Sequence, residues 1–174
     1  MKHKLMLLVV AVALLLCVQA YAGDVPFDVQ TKLMLKIISM DRNFERFGTP
    51  VKIGCSSDEC MKELNVLKAS MKISGKDFLV EKIASPADVD KYKVVYIGKN
   101  MAGSLGAIAS KAAANSCLVF SETEEGVTSG GASVSFKVVD ASPKIIVNLD
   151  NAKKQGTDFP ANFLKVTVVV GGLN

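Results

Sequence analysis

Short apolar, β-branched runs alternate with stretches of helical spacing along most of this chain, and that alternation limits its fold more than any other feature. Residues 51–55 (VKIGC), 78–84 (FLVEKIA), 94–98 (VVYIG) and 117–121 (CLVFS) lack a regular polar face, as strands covered on both sides do. The run 94–98 is β-branched and nearly charge-free, which predicts the centre of the sheet. Between the runs, Leu33, Ile37, Met40, Phe44 and Phe47 recur at spacings of four and three. They predict one apolar helix face over residues 27–47, ended by Gly48-Thr49-Pro50. Ser56-Ser57-Asp58 supplies the cap of a helix over roughly 58–71. A further helix over 101–114 is rich in Ala107, Ala109, Ala112 and Ala113, small residues suited to close packing on a sheet.

After Gly130-Gly131, residues 133–139 and 144–149 read as two strands joined by Asp140-Ala141-Ser142-Pro143, a turn short enough for a hairpin. Residues 148–156 begin another helical turn or two, and 163–170 close the chain as helix or strand. No repeat or low-complexity linker divides the sequence, so one domain is expected. Its class is α/β: a mainly parallel central sheet with an antiparallel C-terminal hairpin and helices on both faces.

The first 22 residues follow another logic. Lys2 and Lys4 precede an apolar run over residues 5–18, and Ala20-Tyr21-Ala22 ends it with small residues at the spacing a signal peptidase reads. The expectation is a removed signal peptide, residues 1–22, and a soluble exported domain, residues 23–174. Cys17 suggests a lipoprotein, but Leu16 stands before it where a small residue is wanted, so no membrane anchor is expected. Removal takes two lysines and no acid, leaving 19 basic against 17 acidic residues. With only Arg42 and Arg46 as arginines and the lysines scattered, no concentrated cationic face for nucleic acid is expected.

His3, the single histidine, leaves with that segment. The remaining chain has no imidazole for a Ser-His or Cys-His dyad or a zinc site. Glu122, Glu124 and Glu125 lie among polar residues without the alternating ligands and fixed glycine of a calcium loop, and read as a solvated loop after a strand. No catalytic residue, metal or cofactor is expected, and the protein is read as a non-enzyme.

Three cysteines remain, Cys55, Cys60 and Cys117. Cys55 ends one strand and Cys117 begins another, so in a parallel sheet they stand at opposite ends, too far apart to bridge. Cys55 and Cys60 are the natural disulfide, tying a strand end to the first turn of the next helix. Cys117 reads as a buried apolar residue. The stretch from Gly98 to Ser104 has glycines at the spacing of a phosphate loop, but Ser104-Leu105 stands where Lys followed by Ser or Thr is required. What survives is a backbone anion site of Gly98, Lys99, Asn100, Gly103 and Ser104. With 54–57 it would lie on the carboxyl edge of the sheet, where ligands bind, so one reading is an exported small-ligand binding protein.

The C-terminal third carries a resemblance. Gly130-Gly131-Ala132-Ser133-Val134-Ser135-Phe136 is similar to the GG-x-I-x-F element of the YfiR/HmsC-like periplasmic proteins. Asn148-Leu149, Ala152, Gly156 and Leu164 fit that family's ending, and VKIGC and VVYIG fit its earlier strands. The family's F-T-x-W-P appears as residues 44–50 without the tryptophan, and Pro160-Ala161 replaces its paired serines. The resemblance implies a periplasmic α/β protein that binds and represses the periplasmic part of an inner-membrane diguanylate cyclase. Envelope redox or stress state would thereby control cyclic di-GMP and biofilm formation. It also implies a homodimer.

Overall fold

The computed structural model describes residues 24–172. The expected signal peptide, with His3 and Cys17, lies outside them. Helix α1 (Phe27–Met40) leads through a 3-10 turn (Phe44–Phe47) into β1 (Val51–Cys55), α2 (Asp58–Leu67) and β2 (Phe78–Lys82). A 3-10 turn (Pro86–Lys91), β3 (Val94–Ile97), a second such turn (Lys99–Ser104), α3 (Leu105–Ala114) and β4 (Leu118–Ser121) follow. The chain then forms α4 (Glu124–Thr128), β5 (Val134–Val139), β6 (Ser142–Asn148), α5 (Leu149–Lys154), α6 (Ala161–Leu164) and β7 (Val168–Val170).

The seven strands make one sheet in the order β2-β1-β3-β4-β5-β6-β7. Every neighbouring pair is parallel except β5 and β6. The first five strands thus have the 2-1-3-4-5 order of a flavodoxin-like doubly wound domain. The predicted α/β architecture is the observed one, with one addition: the hairpin does not end the sheet, because β7 returns to pair with β6.

Alternation within the strands explains why the runs are apolar throughout. Val94 and Tyr96 point into the layer holding Met34, Ile38, Cys60 and Leu64, whereas Val95 and Ile97 point into the layer of Ile83, Leu105, Ile108 and Val127. Both layers are buried, so neither set of positions can be polar. Gly54 in β1 is required by this packing. A Cβ there would stand 2.6 Å from Ile83 Cδ1 and 2.7 Å from Tyr92 Cδ2. Gly54→Ala is expected to destabilise the fold by about 1–3 kcal/mol through overpacking, read as a lowered midpoint in urea.

Local differences from the sequence reading have identifiable causes. The first helix stops at Met40, not at residue 47, because Asp41 takes an extended backbone (φ −65°, ψ 124°) and its carboxylate is bonded elsewhere. The buried face is Gln30, Thr31, Met34, Leu35, Ile37 and Ile38, with Leu33 and Met40 at its margin. The acidic stretch is not a loop: Thr123 accepts from Gly126 N–H and caps α4. The hairpin turns on Asp140 and Ala141 alone, both at positive φ (49° and 57°), as a two-residue hairpin turn demands.

Candidate functional site

In an open sheet of this order, the loops leaving β1 and β3 must diverge to opposite faces, which opens a crevice at their carboxyl ends. Here the crevice is lined by Phe27, Ser57, Asp58, Glu59, Lys99, Asn100 and Glu122, with a volume of about 300 Å³. The stretches 54–57 and 98–100 do come together there. Gly98 N–H donates to Ser56 Oγ at 2.8 Å, Ser56 Oγ donates to Asn100 Oδ1 at 3.1 Å, and Asn100 Nδ2 donates back to Ser56 O at 2.9 Å. Gly98 is a close-approach position, since a Cβ would stand 2.9 Å from both Asn100 and Ser57.

The anion reading meets a physical obstacle. Lys99 N–H donates to Glu122 Oε2 at 3.0 Å, and Lys99 Nζ pairs with Asp24 and, at 3.6 Å, with Glu122 Oε1. The Gly98 amide is already taken by Ser56, so the chain's own carboxylate stands where an anion would sit. Asp58 and Glu59 add negative charge at the rim, with Asp58 paired to Lys82. Gly103 and Ser104 do not line the crevice.

Below the opening the floor is built from buried polar links. Tyr96 hydroxyl donates to Gln30 Oε1 at 2.8 Å, and Gln30 Nε2 donates to Val25 O at 2.6 Å. Phe27 packs edge-on to Tyr96 with ring centroids 6.4 Å apart. Ser57 caps α2 by accepting from Cys60 N–H at 3.3 Å. Cys55 and Cys60 are neighbouring buried thiols, and Cys55 Sγ donates to Ser57 O at 3.2 Å. Burial first, then the Cys55 thiol and the Glu122 charge, push the Cys60 thiol up. Burial, Cys60 and Glu122 do the same to the Tyr96 hydroxyl.

Cys117 is buried at the start of β4, and burial, opposed by Arg46, pushes its thiol up to about 12. These thiols are held neutral in the fold, so their contribution to stability is complete below the unfolded thiol value and is lost as pH rises through the folded one. Thermal stability is therefore expected to fall as pH climbs from about 9 towards about 12. Alkylation at mildly alkaline pH should label Cys55, Cys60 and Cys117 in urea and none of the three in the native protein, as counted by intact mass.

Glu122 is the residue that sequence reasoning placed in the solvent. Its side chain is only 13% exposed and it holds the β3 loop. The available signal was its position directly after a buried parallel strand, on the edge where ligands and their positioning groups gather. Asp24 and Phe27 reach the crevice from the start of the described chain, and nothing in their local sequence announces it. Among the described residues, no three His, Cys, Asp or Glu side chains are grouped to hold a metal.

The motif residues of the C-terminal third lie away from the crevice. Gly130 and Gly131 carry the backbone past α4 and α3, where a Cβ on Gly131 (φ 91°) would meet Ala109 Cβ at 2.6 Å. Phe136 stacks on Phe120 across β5 and β4, centroids 6.4 Å apart. Asn148 caps α5 through Asn151 N–H and donates to Val127 O at 3.0 Å. Leu149 packs against the larger core layer, and Gly156 turns at φ 72° beside Ser116. These residues shape the fold and touch no opening at β1 and β3.

Fold and crevice together define a doubly wound α/β domain whose switch-point site is braced by its own side chains. The YfiR/HmsC-like family model matches residues 38–167, and the chain belongs to that family, whose members are periplasmic proteins with a regulatory role exerted through protein interactions. No curated protein matches the chain. Among solved structures, a conserved domain protein from Vibrio cholerae O1 biovar El Tor is similar at 16% identity and a TM-score of 0.56, over 83% of this chain and 60% of that one. An ABC domain from Streptococcus pneumoniae, solved in complex with L-Trp, is similar at 14% identity and a TM-score of 0.58, over 83% and 62%. The chain thus spans about three-fifths of these two structures, and at these identities the likeness is one of fold. No helix among the described residues is long and apolar enough to cross a membrane.

Proposed function

We propose that this protein is a periplasmic repressor that binds the periplasmic region of an inner-membrane diguanylate cyclase and holds it inactive. The observation that carries this reading is the family match over residues 38–167. Several of the crevice's polar groups are bonded to one another, Ser56 with Asn100 and the Lys99 amide with Glu122. Repression of this kind is population shift: the protein must bind the inactive arrangement of its partner more tightly than the active one, by about 5.5 kcal/mol for a near-complete switch.

Cys55 and Cys60 supply the redox input in this proposal. In an oxidising envelope the two thiols lose their hydrogens and pass two electrons to a disulfide-donating oxidant, and the new S–S bond ties the end of β1 to the first turn of α2. So small a loop adds only about 2 kcal/mol, and its effect is to fix the geometry beside Ser57. Envelope cross-linking followed by mass spectrometry should recover a membrane diguanylate cyclase, and deletion should raise cyclic di-GMP. Recovery of no membrane signalling protein together with unchanged cyclic di-GMP would sink the reading.

A second reading is favoured by the opening at the β1–β3 switch point: a small polar ligand binds there and competes with Lys99 and Glu122 for their present partners. Thermal-shift screening against periplasmic metabolites tests it. A stabilising compound whose effect disappears in Asn100→Ala supports it, and a screen without any such compound rejects it.

A further inference from the structure

Helices α3 and α5 leave a cleft of about 290 Å³ between them, lined by Ala109, Ser110, Ala113, Gly131, Asn151, Lys154 and Gln155. None of these residues borders the β1–β3 crevice. Leu105, Ile108 and Ala112 of α3 face the core and Lys111 turns to Asp90, so α3 shows the cleft two methyls and the Ser110 hydroxyl. Gly131 sets the width, since a Cβ there would meet Ala109 Cβ at 2.6 Å. One glycine of the C-terminal motif therefore keeps the cleft open.

The polar side of the cleft is what points to a ligand. Gln155 is 1% exposed. Its Oε1 accepts from Val119 N–H and Ser133 Oγ, but its Nε2 donates only to Gly131 O. One of its two amide hydrogens is left without a protein partner among the described residues, and a buried donor in that position costs stability. Asn151 Nδ2 likewise donates once, to Ala132 O at 2.9 Å. Lys154 is the charged residue of the lining. The salt bridges nearby join Lys111 to Asp90 and Lys137 to Glu124, and Asp150 accepts from Gly172 N–H. Lys154 is thus without a carboxylate among the described residues.

We propose that the α3–α5 cleft binds a small aliphatic monocarboxylate. Its carboxylate accepts the unspent amide hydrogens of Gln155 and Asn151 and pairs with Lys154, and its hydrocarbon chain lies on the methyls of Ala109 and Ala113. One cation and two neutral donors balance a single negative charge. A phosphate dianion would leave half of its charge uncompensated. The lining has no ring on which an aromatic body could stack, and the volume stands at the lower end of the roughly 300–1,000 Å³ of ligand sites. Gln155 also holds the Val119 amide where β4 and β5 share one register pair, so an occupied cleft tightens that seam. The site stands whether or not the diguanylate cyclase or the crevice reading holds.

The test is a titration of protein expressed from the whole sequence with sodium butyrate at constant ionic strength, followed by amide chemical shifts. Saturable shifts are expected at residues 109–113, 131 and 151–155, with slower hydrogen exchange at the Val119 amide. Acetate should bind several-fold more weakly, since it lacks the methylenes that cover the alanines. Lys154→Glu should weaken butyrate at least about tenfold, whereas Lys153→Glu, the same change of net charge one residue away, should alter it by less than about twofold. Ala113→Leu should fill the cleft and abolish binding. Lys154 and Lys153 are exposed, so both lysine variants should melt with the parent, which separates lost binding from lost folding. Absence of saturable shifts, shifts confined to residues 57–59, 98–100 and 122, butyrate binding that survives Lys154→Glu, or equal binding of butylamine or inorganic phosphate overturns the proposal.

Discussion

Asp41→Ala is expected to lower stability by about 3–5 kcal/mol, the range for removing one partner of a buried ion pair. The Asp41 side chain has no exposed surface, and its carboxylate pairs with the Arg46 guanidinium at 2.7 Å. Its other oxygen accepts from Asn43 N–H at 2.9 Å and Asp158 N–H at 3.0 Å. Arg46 in turn donates to Gly156 O at 3.0 Å, Ser116 O at 3.4 Å and Thr157 Oγ1 at 2.5 Å, and lies 4.0 Å over the Phe47 ring. One ion pair thus ties the end of α1 to the start of β4, 70 residues along the chain from Arg46, and to the turn after α5, 110 residues along. Burial lowers the Arg46 guanidinium from its ordinary value, and Asp41 opposes that shift. Without Asp41 the cation stays buried and uncompensated. At roughly 2–4 °C per kcal/mol for a domain of this size, the melting temperature should drop by about 10 °C. Asp41→Asn, which keeps the acceptor, should recover part of the loss. A melting temperature within a degree or two of the parent would show that the network is dispensable.

Gln155→Leu is expected to be nearly as damaging, by about 3 kcal/mol, because it strands several buried partners at once. Strands β4 and β5 share a single register pair, Phe120 with Val134. Gln155 fills the gap below it. Its Oε1 accepts from Val119 N–H at 2.9 Å and Ser133 Oγ at 2.5 Å, and its Nε2 donates to Gly131 O at 2.9 Å. The side chain takes the place of a missing backbone rung, so leucine of similar volume fills the space and satisfies none of the three groups. Faster hydrogen exchange at the Val119 amide, beyond that of β1 and β3, is the specific signature. Uniform exchange across the sheet would instead indicate a general loss of packing.

These two residues also show where local sequence stops being informative. The runs VKIGC, VVYIG and CLVFS announced themselves because a strand buried on both faces can hold almost no polar side chain. The hairpin was visible because its two strands are separated by turn residues. Asp41, Arg46 and Gln155 look like ordinary polar residues near helix ends, since their partners are distant in sequence and pairing leaves no local pattern. The first helix read seven residues too long for the same reason: Phe44 and Phe47 keep the helical spacing, but Asp41 is pulled out of the helix by Asp158 and Arg46. Glu122 was read as solvated because strand-end acids usually are, and only the β3 loop folding onto it makes it part of the crevice.

Apolar patterning, short range by nature, determined the α/β class, the strand and helix order and most of the core of this protein. Tertiary structure alone decided that Glu122 accepts from the Lys99 amide beside Gly98, that Cys55 and Cys60 lie as neighbouring thiols, and that an uncharged strand closes one edge of the sheet. Each of those depends on strand order and on groups brought together across many residues, which hydrophobic periodicity does not encode.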